Sequence, residues 1–167
     1  LDVHDIDGII ATVKAVAPTF GAINLEDIAA PQCFQIEETL KRELTIPVMH
    51  DDQHGTAVVV LAGMLNAVKI VGKTLGNLRL VVNGAGASAL SVVRLLMKAG
   101  VADVIICDRH GAIYEGRTEG MNQWKSAHAV KTDLRTLDEA MVGADVFLGV
   151  SAKGAVTPEM VSNMAEN

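Results

Sequence analysis

Four carboxylates stand in two tight pairs, Glu26 with Asp27 in "NLEDI" and Asp51 with Asp52 in "HDDQHGT", each directly after a short apolar run. Like charges crowded in this way repel one another unless a cation lies between them. Carboxylate oxygens without a thiolate or a regular histidine pair suit a hard divalent ion, Mg²⁺ or Mn²⁺, better than zinc. The same acids would also serve as helix caps, since Asp27 precedes "PQCF" and Asp52 precedes "GTAVVV", where free backbone N–H groups seek acceptors. Spacing alone leaves both readings open. His50 and His54 flank the second pair and receive no role. Thr56 either donates to a cofactor or substrate or simply begins the following helix.

A second chemistry-bearing stretch is "GAGASA" at 84–89, a G-x-G-x-x-A pattern placed between the strand-like "LRLVV" and the helix-like "LSVVRLLMKAG". Gly84 permits the sharp turn, Gly86 lets the backbone approach a pyrophosphate, and Ala89 keeps helix and strand close. Ala87 lies on the phosphate-facing backbone, where unpaired N–H groups and the helix dipole favour negative charge. Asp108, 24 residues beyond Gly84, ends the next strand and is placed to accept from ribose hydroxyls. Such an acid repels a 2′-phosphate, so NAD is expected over NADP, although Arg109 beside it would offset part of the charge. The nicotinamide end should lie beyond "DVFLGVS", which makes Gly149, Val150 and Ser151 candidate contacts. A plain glycine-rich turn in a doubly wound sheet is the competing explanation of the motif.

The elements that would carry these residues alternate. Short apolar runs are followed by longer helical stretches, the pattern of βα units on a parallel sheet. A helix is expected over "DGIIATVKAVAP", then strand "FGAINLEDI", helix "PQCFQIEETLKREL" and strand "IPVMHDD". A long apolar helix from Thr56 to Val71 follows. Beyond it come the strand, glycine turn and helix of the second motif, strand "DVIICD", a loop over 109–120, a helix near 121–130, strand "DVFLGVS" and a helix from Pro158. The predicted fold class is α/β, a Rossmann-like doubly wound and mostly parallel sheet, with preceding βα units carrying the acids. A composition change near "GKTLGNLR" suggests two regions, 1–72 with the long helix and the acids, and 73–167 with the nucleotide turn.

Composition narrows the classes further. Half of the 167 residues are apolar, and the net charge is −6 without a Lys/Arg cluster, which argues against a nucleic-acid surface. The run "AVVVLAGMLNAVKIV" falls short of the roughly 20 residues needed to cross a bilayer, so no membrane association is expected. Cys33 and Cys107 lack metal or disulfide spacing, which fits a reducing cytoplasm. The sequence opens without Met or a signal-type layout and reads as an internal segment of a longer chain.

Taken in order, "PTFGAINLEDIAAPQCFQIEETL", "IPVMHDDQHGTAVVVLAGMLNA", "VVNGAGASAL" and "GADVFLGVSAKGAVTPEMV" resemble the malic enzymes, especially the short bacterial type. The similarity runs along nearly the whole chain. It implies oxidative decarboxylation of (S)-malate to pyruvate and CO₂ with NAD or NADP and Mg²⁺ or Mn²⁺, in a homodimer or larger assembly. By the resemblance, Glu26, Asp27 and Asp52 correspond to metal ligands and Asp51 to an acid supporting the catalytic lysine. The family's acid–base tyrosine and lysine lie upstream of the stretch matching "LDVHDI", so this segment alone is expected to lack turnover. Two rivals are a cofactor-binding module without turnover and a metal-independent amino- or hydroxy-acid dehydrogenase.

Overall fold

The structure is a computed structural model, and it describes residues 2–166. Two parallel arrangements are built in succession. The first is small: strands β1 (Ile23–Leu25) and β2 (Val48–His50) pair in parallel with Leu25 opposite His50. Helices α1 (Ile6–Val16) and α2 (Gln32–Glu43) cover them. Leu25, Ile36, Leu40 and Val48 form the core of this unit. Asp5 starts α1 by accepting from the Gly8 N–H at 2.8 Å, and α1 stops where Pro18 enters a 3₁₀ turn.

The long helix α3 (Asp51–Ile70) links this unit to a four-stranded sheet ordered β5-β4-β3-β6. Its strands are β3 (Arg79–Asn83), β4 (Asp103–Asp108), β5 (Gly111–Ala112) and β6 (Val146–Gly149). β4 and β6 run parallel to β3 on its two sides, and only the short β5 is antiparallel. Strand alternation explains the burial on both faces. Leu80, Val82, Val104 and Ile106 face α3 and α4 (Ala87–Lys98), while Val81, Ile105 and Cys107 face Ala140, Met141 and Ala144. The second face is closed by α6 (Leu137–Met141) and α7 (Pro158–Ser162). Chain order reverses about β3, so β3 and β6 leave a crevice at their carboxyl ends, the usual place for a ligand in such sheets.

Three local expectations change. α3 begins at Asp51 rather than Thr56, with His50 as its extended cap, so both acids lie in the first helical turn, where the dipole favours them. The helix expected near 121–130 shrinks to α5 (Gln123–Ser126), because Val130 is drawn into a bridge with Tyr114. The loop over 109–120 contains β5, which the glycine-rich sequence concealed. Among the described residues no helix is long and apolar enough to cross a membrane.

Candidate functional site

The crevice is a cavity of about 600 Å³ at the carboxyl ends of the strands. Asn83 to Gly86, Asp108 to His110 and Val150 to Ala152 line it, together with Lys125. The turn after β3 has a geometry that requires its first glycine. Gly84 has φ +132°, and an added Cβ would stand 2.6 Å from the Val150 carbonyl oxygen. Its N–H donates to the Cys107 carbonyl at 2.8 Å, tying the turn to β4. Gly86 faces open space, so the backbone there is clear for a phosphate to approach. Ala87 begins α4, and Ala89 is buried between helix and sheet. This cradle fits a dinucleotide.

Asn83 was not singled out in the sequence, yet its Nδ2 donates to Ser151 Oγ at 2.9 Å and fixes that hydroxyl beside the cavity. Val150 N–H donates to the Asn83 carbonyl at 3.0 Å. Gly149 ends β6 and lines a neighbouring recess with Ser151. Thr56 lies along α3 and is absent from the cavity lining.

Asp108 sits at the expected strand end but is not free. Arg117 Nη2 donates to Oδ1 at 2.6 Å, Lys125 Nζ to Oδ2 at 2.7 Å, and the His110 N–H to Oδ1 at 2.9 Å. Burial pushes this carboxyl up, but the bonds from Lys125, His110 and Arg117 outweigh it and hold the pKa below its ordinary value. Asp108, expected to accept from ribose, does line the cavity, and each of its oxygens already takes a bond from a cation, so its charge is compensated. Arg109 lies beside it, its Nε donating to His110 Nε2 at 3.0 Å.

The acids meet on the other side of the glycine turn. Asp27 has φ +58°, so the chain leaves extended geometry at that residue. Its N–H donates to Asp52 Oδ2 at 3.2 Å. Asp27 and Asp52 are thereby brought together. Glu26 is exposed at the same strand end, and no group of three His, Cys, Asp or Glu among the described residues closes to metal-holding distance. The donor set is oxygen-only and at the ends of adjacent parallel strands, chemistry that fits a hard cation completed by further oxygen ligands. Asp51 folds back over Gly55, where any Cβ would collide with its carboxylate. Ser88 Oγ donates to the Asp52 backbone carbonyl at 2.6 Å, which fastens the acidic turn to the phosphate turn. Ser88 occupies a free position of the glycine motif, so no sequence signal marked it.

A profile described as the malic enzyme NAD binding domain matches residues 53–167, and one described as the malic enzyme N-terminal domain matches residues 2–41. The bifunctional malic/malolactic enzyme of Bacillus subtilis is 52% identical over 171 residues, covering 100% of this chain and 42% of its own length. The NADP-dependent malic enzyme of Rhizobium meliloti is 52% identical over 166 residues, covering 98% of this chain and 22% of its own. The NAD-dependent malic enzyme of Thermotoga maritima superposes with a TM-score of 0.93 at 41% identity, over 99% of this chain and 45% of that one. The chain thus spans less than half the length of each of these relatives.

Proposed function

The chain belongs to the malic enzyme family, and from that we propose that it supplies the dinucleotide cradle and acidic cation site of an enzyme converting (S)-malate to pyruvate and CO₂. The observation that carries this reading is the Ser88 to Asp52 hydrogen bond, which holds the acids against the phosphate turn. Glu26, Asp27 and Asp52 would hold Mg²⁺ or Mn²⁺, and Asp51 would orient the catalytic lysine. Gly84, Gly86 and Ala87 would receive the pyrophosphate, with Val150 and Ser151 toward the nicotinamide. When bound, the ion supplies Lewis acidity and the nicotinamide accepts hydride.

Because Lys125 and Arg117 neutralise Asp108, repulsion of a 2′-phosphate is weak, and either NAD or NADP is accommodated. The division into 1–72 and 73–167 is retained as a proposal supported by the two separate sheets. α3 bridges them, burying Ala57, Met64 and Val68 in the core of the second. A cytoplasmic homodimer or larger assembly is proposed on the family resemblance, supported by the exposed Val58, Val59 and Ile70 of α3.

Calorimetric titration with NAD, NADP and Mn²⁺ tests the reading. Dinucleotide and Mn²⁺ should both bind, and Asp52→Asn should weaken Mn²⁺ by more than the roughly 10- to 100-fold typical of losing an outer-shell partner, with dinucleotide affinity measured without Mn²⁺ kept. Failure of both dinucleotides to bind would overturn it.

A further inference from the structure

Beside the acidic turn lies a polar ring with nothing to bond. His50 closes β2 and caps α3, its side chain is wholly buried, and neither Nδ1 nor Nε2 has a hydrogen-bond partner. A buried unpaired imidazole weakens a fold, so its presence points to a use outside folding. Its backbone is held firmly. The His50 N–H donates to Glu37 Oε1 at 3.1 Å, and that buried carboxylate also receives Lys41 Nζ at 2.7 Å and His54 Nε2 at 2.8 Å. The ring faces the acids. Nε2 stands 3.9 Å from Asp52 Oδ2, about 1 Å beyond hydrogen-bond distance, and that oxygen, on a side chain 47% exposed, also accepts from the Asp27 N–H.

We propose that His50 is a positioning residue for the divalent cation, its Nε2–H donating to the Asp52 carboxylate and holding it in the ligating orientation. The proposal rests on Asp52 being a cation ligand. His50 itself is enclosed while Asp27 is at the surface, so it acts on the ion through Asp52. Carboxylate ligands commonly take such a donor behind them, and its loss weakens metal binding without removing a ligand.

Replacement by Leu removes the donor together with an unpaired polar ring. Mn²⁺ affinity of His50→Leu, followed by the electron paramagnetic resonance of free Mn²⁺, should fall about tenfold to a hundredfold. Its thermal midpoint should stay level or rise, a combination that a merely structural histidine would not produce. His50→Gln, which carries an N–H at similar reach, should recover most of the affinity. In the unaltered chain, diamagnetic Mg²⁺ should shift the His50 Nε2 resonance and slow exchange of its proton, a readout independent of any variant's folding. Leu binding Mn²⁺ as tightly as the unaltered chain, Gln binding as weakly as Leu, or an Nε2 resonance indifferent to Mg²⁺ would overturn the proposal while Asp52→Asn still loses Mn²⁺. No Mn²⁺ binding by the unaltered chain, or none lost in Asp52→Asn, would instead overturn the cation reading and this proposal with it.

Discussion

Arg117 is the most heavily bonded side chain near the cavity. Its guanidinium donates to the carbonyls of Gly111, Ala112 and Glu119 as well as to Asp108, and it is 8% exposed. Removing the charge from Asp108 would leave two cations facing one another with no anion between them. Asp108→Asn is therefore expected to lower stability by about 3 kcal/mol, read from urea unfolding at neutral pH. The pH dependence has a definite sign. Because the folded pKa of Asp108 lies below the ordinary carboxylate value, its contribution is complete above that value and drains as pH falls through the folded pKa. The gap between the unaltered chain and the variant should thus close in strong acid. The adjacent Cys107 thiol, pushed up to about 12 by burial and then by Asp108, remains protonated throughout this range.

Helix α3 carries a glycine in its second turn, where helix propensity favours Ala by about 1 kcal/mol. Gly55→Ala should nonetheless bring no gain, because the added methyl meets the Asp51 carboxylate lying over it. Thermal melts that show the full propensity gain would mean that Asp51 swings aside freely. The same stretch shows what a sequence conceals. Alternating strands and helices were legible because the second sheet is buried on both faces, so its strands are continuous apolar runs. The start of α3 was not, since "DDQHG" has the composition of a loop, while its two acids suit the positive end of the helix dipole. The glycine turn was legible from its flanks. The cations on Asp108 were not, because Arg117 and Lys125 come from 9 and 17 residues downstream, a separation that no local motif encodes.

At the scale of the whole molecule, the acids and cradle are held apart from the two residues that would first be asked to carry malate's proton. Its one tyrosine, Tyr114, lies under the Arg135 guanidinium, 3.8 Å from the ring centroid, and Lys14 is paired with Glu43 at 2.6 Å on the α1 and α2 side. A positioned base is worth about 10²- to 10⁴-fold in rate. These 167 residues with malate, Mn²⁺ and NAD or NADP are expected to show no turnover, and robust nicotinamide reduction would make Lys14 and Tyr114 the first positions to replace. The hydrogen bond from Ser88 to the Asp52 carbonyl has a further consequence, one of shared occupancy. One end of that bond stands on the turn that faces the dinucleotide and the other on the turn that faces the cation. A ligand that stiffens either turn lowers the ordering cost left for its companion, and thermodynamic reciprocity makes the benefit equal in both directions. Cofactor and ion would then load as a cooperative pair, and the half-filled chain would be the scarce species.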